Sequence, residues 1–248
     1  MTQVIDEPAL RWVWLGTVGY QDAWVLQREI ALARRSGALA DDALLLLEHR
    51  PVYTMGRQGE PRHLGAGPNA LIAAGAEFHE VDRGGSVTFH GPGQLVAYPI
   101  VRLAGLFPIP HHPAHGDVDR YLRALEAGLI ATAAAYGVAV TRRPPYTGVW
   151  SGERKLGAIG VKLAGGVTTH GVALNVATDL TWFDRVTPCG IEGAGVASLA
   201  SLGVAGHTPA EVAPVLAAAL ATAFGCSLRG AGPLDALVRS PAREPAAA

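Results

Sequence analysis

An α+β fold, a mixed β-sheet with helices packed on one or both faces, is predicted by three features of the sequence. Short apolar and β-branched runs are interspersed with a few long helical patterns, but without the strict strand, helix, strand alternation of a doubly wound fold. Several runs follow one another directly across glycine turns, as in GVWSGERKLGAIGVKLAGGVTTHGVALNVA, which is how antiparallel hairpins read. The chain has 248 residues and 49% hydrophobic content, enough to bury one sizeable core.

In chain order, RWVWLG (Arg11 to Gly16) is aromatic and β-branched and reads as the first strand. Tyr20 to Arg35 follows with helical spacing and closes on Ser36 and Gly37, a residue pair that stops helices. ALLLLEH (Ala43 to His49) is continuously apolar and is halted by Pro51, as expected of a central strand buried on both faces. Pro68 and Asn69 open a short helix to Ala74, ended by Gly75. Glu77 to Val81, Ser86 to His90 and Gln94 to Leu103 alternate as strands joined by tight turns. FPIPHHPAHGD (Phe107 to Asp117) reads as a solvated connection, and Val118 to Tyr136 as a helix stopped by Gly137. VAVTRR is a further strand, three more follow with turns at Ser151-Gly152 and Gly165-Gly166, and TDLTWFDRVTPCGIEGAGVASL is rich in loop. Pro209 to Ala223 is helical. Residues 1–230 read as a single domain and 231–248, ending SPAREPAAA, as a low-complexity tail.

Net charge is −1, so no basic surplus exists to neutralise a nucleic-acid backbone or an anionic membrane, and neither partner is expected. The start lacks the basic and apolar segments of a signal peptide, and the charge-free stretch from Ala127 to Val140 is too short for a bilayer. The expectation is a cytoplasmic protein. Neither of the two cysteines, Cys189 and Cys226, has a thiol neighbour in sequence, and the HHPAH cluster has no carboxylate or cysteine at a defined offset. No disulfide and no metal site are expected. Nothing in the helical patterns suggests a coiled coil, and a monomer is expected.

The stretch RGGSVTFHGPGQ (Arg83 to Gln94) has the glycine content of a phosphate cradle. Such a loop opens a helix and is usually accompanied by a lysine. Here strands flank it and no lysine is present, so a hairpin is the better reading. Chemistry is sought elsewhere. Cys189 lies in TPCGI, outside any regular pattern, where loops present reactive side chains; Cys226, in AFGCSL, looks like a small buried hydrophobe. Of 20 basic residues 18 are arginine, which makes Lys155 and Lys162 conspicuous. An ammonium can give up its proton where a guanidinium cannot. The two lysines are seven positions apart (162 − 155), an odd spacing that puts them on opposite faces of a regular strand, so only one can face a given site. His90 and His170 occupy related settings, TFHGPG and TTHGVALN, and a histidine base for Cys189 is the generic expectation.

RGGSVTFHGPGQLVAYP (Arg83 to Pro99), RKLGAIG (Arg154 to Gly160), THGVALN (Thr169 to Asn175) and PCGI (Pro188 to Ile191), preceded by EHRPVYTMGR (Glu48 to Arg57), resemble in order and spacing the lipoyl(octanoyl) transferase family. The resemblance implies a fold like the catalytic domain of biotin and lipoate protein ligases. It implies transfer of octanoyl from acyl carrier protein to a lysine of lipoyl domains, those of 2-oxoacid dehydrogenases and of the glycine-cleavage H protein. Cys189 would carry the acyl group as a thioester, and Lys155, 34 positions earlier (189 − 155), would replace the histidine as acid and base. Lining of the acyl pocket is implied for Arg83, Gly84, Gly85, Ser86, Val87, Thr88, Phe89 and His90, for Ala158, Ile159 and Gly160, and for Gly171, Val172 and Ala173, with His170 in support. No cofactor is implied beyond the phosphopantetheine that the donor carries on its own protein. The competing readings are an ATP-dependent lipoate or biotin ligase, which would not need Cys189, a non-catalytic binder of acylated protein, and a cysteine hydrolase.

Overall fold

β1 (Ala9–Val18) leads into α1 (Tyr20–Ser36), which ends on Gly37 at φ 83°, and the chain returns as β2 (Asp42–His49) parallel to β1. This computed structural model describes residues 8–187 and 195–230. β3 (Val52–Met55), a 3-10 turn at Pro61–Leu64 and α2 (Pro68–Ala73) precede β4 (Glu77–Glu80), β5 (Val87–His90) and β6 (Gln94–Ile100). A short α3 (Leu103–Leu106) and the hairpin β7 (Pro108–Ile109) and β8 (His112–Gly116) lead to α4 (Val118–Ala135), whose first turn is capped by Asp117 accepting the Arg120 N–H at 2.9 Å. β9 (Thr141–Arg143), β10 (Tyr146–Ser151), β11 (Arg154–Ala164) and β12 (Val167–Asn175) then run antiparallel in sequence, followed by β13 (Gly195–Val196), α5 (Pro209–Phe224) and β14 (Ser227–Gly230). α5 starts with Thr208 and Glu211 each capping the other's backbone N–H, and Pro209 sits where no donor is needed.

Nine strands form the main sheet in the order β14, β1, β2, β6, β12, β11, β10, β9, with β13 alongside β11. It is parallel at the β14, β1, β2 end and antiparallel from β2 onward except for β13, which runs parallel to β11, so the expected mixed sheet is what forms. Both faces are covered. Leu44 and Leu46 of β2 join Leu95, Val172 and Leu174 against α4 and α5, while Leu45 and Leu47 point to the other cluster, with Ile30 of α1, Val96 and Ala173. That two-sided burial is why β2 is apolar without alternation, and each such leucine contributes about 2 kcal/mol.

Three expectations are corrected. β5 and β6 do not form a hairpin: β5 pairs with β3 in a separate three-stranded sheet, β4, β3, β5, while β6 enters the main sheet. Gly91, Pro92 and Gly93 carry the chain from one sheet to the other, and Gly93 (φ 80°) lies so close to Ala177 that a Cβ would meet its carbonyl at 2.6 Å. The histidine-rich connection is a small hairpin with exposed His111, His112 and His115. β3, which follows the terminator Pro51, and β14 were not expected; β14 pairs with β1. Among the described residues no helix is long and apolar enough to cross a membrane, and no group of three or more potential metal ligands occurs. The proposed tail, 231–248, lies outside the described residues.

Candidate active site

The segment after β4 crosses onto β11, where the Gly84 N–H donates to the Val161 carbonyl at 2.9 Å. Gly85 then turns at φ 83°, a conformation that favours glycine, and β5 begins. This places the segment beside the paired residues Ala158 with Ala173, Ile159 with Val172 and Gly160 with Gly171. Between them lies a cavity of about 480 Å³, counted to its open mouth. Of the residues expected there, Arg83, Gly85, Ser86, Val87, Thr88, His90, Ala158, Ile159, Gly160, His170, Gly171, Val172 and Ala173 line it. Gly84 and Phe89 do not. Phe89 alternates to the far side of β5 and stacks on Trp182 at 5.1 Å in a second cluster with Tyr53 and Phe183. Tyr20, Val96 and Tyr98 complete the lining, and no local pattern in the sequence marked them.

Gly85, Ser86, Ala158, Gly160, Gly171 and Ala173 keep part of the wall free of bulky side chains. A Cβ on Gly171 would overlap the Ala97 carbonyl oxygen and reach Pro99 Cδ at 2.7 Å; one on Gly160 would meet Arg83 Cδ at 2.9 Å. Arg83 is buried and donates to the Thr54 carbonyl (2.7 Å), Thr54 Oγ1 (2.8 Å) and the Gly84 carbonyl (3.0 Å). Its guanidinium therefore supports the glycine segment from behind.

A second, narrower cavity of about 300 Å³ shares Thr88, Ala158 and Ala173 with the first and continues to Lys155, Gln94, Asn175, Phe183 and Val196. Lys155 is buried there, at 8% exposure, with Nζ 4.7 Å from the centre of the Trp150 ring. Its carbonyl accepts from the Ala197 N–H at 2.9 Å, and β13 pairs with it through Val196. Lys162 lies elsewhere, in an ion pair with Asp82. The two lysines nonetheless share a face of β11, against expectation. Val149 pairs with Gly157 while Trp150 pairs with Lys155, so β11 has one extra residue there, a bulge. Leu156 packs in the α4 and α5 cluster, and a Cβ on Gly157 would touch Leu129 of α4 at 3.1 Å, so two successive residues point the same way and the odd spacing is cancelled.

A directed chain of hydrogen bonds crosses the site. His90 Nδ1–H donates to Gln94 Oε1 (2.7 Å), Gln94 Nε2 donates to Asn175 Oδ1 (2.9 Å) and Asn175 Nδ2 donates to the Ala197 carbonyl (2.9 Å), next to the residue paired with Lys155. Gln94 and Asn175 close the motifs RGGSVTFHGPGQ and THGVALN, a signal the sequence carried. Burial holds His90 neutral, its pKa lowered to about 3, with the nearby His49 adding to the effect. His49, lowered to about 4 by burial, donates Nδ1–H to the Val18 carbonyl (2.8 Å) and accepts from the Tyr98 hydroxyl at Nε2 (2.7 Å). Neutral imidazoles suit an alkyl chain, since an imidazolium beside it would forfeit hydration, and the guanidinium of Arg83 in the same lining is hydrogen-bonded to Thr54 and Gly84.

His170 is held from three sides. Its backbone is left-handed at φ 56°, its N–H donates to Gln27 Oε1 at 2.7 Å, and Nε2 donates to Asp82 at 2.9 Å. Burial lowers the His170 pKa, against the pull of Asp82. Burial pushes Asp82 up, but the hydrogen bonds from Lys162 and His170 outweigh it, and its pKa is lowered. A residue in this backbone region costs of order 1–3 kcal/mol, a strain found disproportionately at functional sites. Cys226 is half-buried against the main core with Sγ 3.6 Å from the Ala221 carbonyl, while Cys189 lies outside the described residues.

Residues 19–221 match the lipoyl protein ligase A/B catalytic domain. An octanoyltransferase of Rubrobacter xylanophilus is 53% identical over 186 residues, 74% of this chain and 79% of that protein, and one of Chloroflexus aggregans is 49% identical over 215 residues, 85% and 92%. The chain belongs to the octanoyltransferase family. It is an acyltransferase, as the resemblance implied. The bi-partite lipoate protein ligase of Thermoplasma acidophilum shares the fold at a TM-score of 0.69, with 16% identity over 94% of this chain and 91% of that one. As an octanoyltransferase, the chain gathers in space the three segments that its sequence motifs keep apart.

Proposed function

We propose that this octanoyltransferase moves an octanoyl group from acyl carrier protein to a lysine of a lipoyl domain through a thioester on Cys189, with Lys155 as proton carrier. The observation that carries this reading is Lys155 in the lining of a cavity that shares Thr88, Ala158 and Ala173 with the slot walled in part by Gly85, Gly160 and Gly171. The slot takes the alkyl chain, and the carboxyl end lies toward Lys155. Val196, paired with Lys155, stands seven positions after Cys189 in the sequence (196 − 189).

In the first step the Cys189 thiolate attacks the thioester carbonyl, a C–S bond forms, and the C–S bond to pantetheine breaks. The departing thiolate takes a proton from the Lys155 ammonium. One thioester replaces another, so no ATP is needed and no resident cofactor takes part. In the second step the acceptor amine attacks the acyl-cysteine, neutral Lys155 takes the amine proton, and the Cys189 thiolate leaves. The amide product is more stable than the thioester, which drives the reaction forward. Each tetrahedral oxyanion gains about 3 to 4 kcal/mol per well-placed donor. The family's ligase chemistry, acyl-adenylate formation with ATP, is the outcome that a Cys189-independent reaction would support.

The test is mass spectrometry of the full chain after incubation with octanoyl carrier protein in the absence of ATP. A single octanoyl adduct on a peptide containing Cys189 is expected. Label only on Cys226, or none at all, would falsify the proposal.

A further inference from the structure

Trp150 lies directly opposite Lys155 across the bulged β10 and β11 ladder. It is 1% exposed, and two cations share its ring: Lys155 Nζ at 4.7 Å and the Arg143 guanidinium carbon at 5.1 Å from the centroid. The stem of Lys155 reaches the ring past Gly148, where a Cβ would lie 3.6 Å from Lys155 Cε and 2.5 Å from the Gly157 carbonyl oxygen. Gly148 (φ 109°) thus leaves that path open, and its N–H is held by the buried Glu126 carboxylate at 3.1 Å. The indole N–H of Trp150, by contrast, is buried with no hydrogen-bond partner among the described residues. A buried orphan donor costs free energy that a phenyl ring would not. What the indole supplies here is its face, and among aromatic side chains an indole binds a cation best.

We infer that Trp150 is a positioning residue for the acyl transfer, its ring face holding the Lys155 ammonium in the wall of the cavity that adjoins the acyl slot. The inference rests on the reading of Lys155 as proton carrier. A flexible four-carbon stem has many rotamers, and an ammonium fixed against a ring is already aligned for the thioester sulfur. The cation–π contact is lost when the ring is removed, and the transfer rate falls with it.

Two measurements test this on the full chain. Because the protein has only Lys155 and Lys162, labelling with lysine carrying ¹³C at Cε yields two NMR signals. One should be shifted upfield by the ring current of Trp150, be missing in Lys155→Arg, stay shifted in Trp150→Phe and return to an ordinary position in Trp150→Leu. In parallel, Trp150→Leu should slow octanoyl transfer onto Cys189 at saturating donor by roughly 3- to 30-fold, and Trp150→Phe should recover most of the loss. In a Lys155→Met background, Trp150→Leu should change the residual rate less than about twofold, since the two side chains act as one unit. Two unshifted lysine signals in the native protein would overturn the contact. A Leu variant at the native rate, a Phe variant as slow as Leu, or an undiminished loss in the Met background would overturn the positioning role. If the native protein gains no octanoyl on Cys189, the acyl-cysteine reading fails and the role assigned to Trp150 falls with it, while the lysine signals still decide whether the contact exists.

Discussion

Acidification from pH 7.5 to 5 is expected to remove about 4 kcal/mol of folding stability through two histidines of the site. His49 and His90 start from an ordinary value of 6.5 and are lowered in the folded protein to about 4 and about 3. At pH 5 the unfolded chain binds a proton at each and the folded protein binds almost none, so stability falls as pH falls. For one such histidine the loss relative to neutral pH is RT ln(1 + 10^1.5), about 2 kcal/mol. Doubled, that is a large part of the 5–15 kcal/mol available to an ordinary domain. Asp82, whose pKa is lowered, contributes stability that is lost only in more acidic solution than this window. Asp42, raised by burial, acts in the opposite sense from pH 3.8 upward, which makes a comparison between variants the decisive measurement. Urea unfolding followed by tryptophan fluorescence at half-unit pH intervals supplies the stabilities. His90→Gln cannot ionise, and its loss between pH 7.5 and 5 should be smaller than the native one by about 2 kcal/mol. If the variant loses as much as the native protein, the fold does not hold His90 neutral and the account of a neutral imidazole in the cavity wall is wrong.

Gly171→Ala should destabilise the protein by about 1–3 kcal/mol, because the new methyl overlaps the Ala97 carbonyl oxygen and β12 must move away from β6. Urea midpoints measure the stability, and octanoyl transfer should fall as well, since Gly171 lines the slot. Lys155→Arg keeps the positive charge but cannot cycle a proton, so it should stay folded by circular dichroism and lose most turnover. Full activity in that variant would leave Lys155 an electrostatic role only.

The sequence by itself determined the elements whose signals are local. Tyr20 to Gly37 reads as a helix because apolar spacing, Ser36 and Gly37 all act within one turn of each other, and the structure ends α1 there. ALLLLEH reads as a buried strand because burial on both faces leaves no room for polar alternation. The glycine-rich motifs were gathered into one pocket by the family resemblance and not by a local pattern, and at Gly160 and Gly171 a side chain would meet neighbouring atoms. Only tertiary structure decided how those segments meet. The odd spacing of Lys155 and Lys162 predicted opposite faces, yet the bulge at Leu156 and Gly157 puts both on one, because the core beneath α4 takes two successive residues. β5 and β6 look like a hairpin in sequence, but strand partners are chosen by contacts far along the chain, and Tyr53 and Thr54 of β3 claim β5 first. The same distance hid Tyr20, Tyr98 and Asp82 from the site reading, and it hid the pairing of Trp150 with Lys155. A local pattern can say that a residue is on a strand, whereas which face survives a bulge and which ring lies beneath an ammonium are settled by packing between residues that the chain separates.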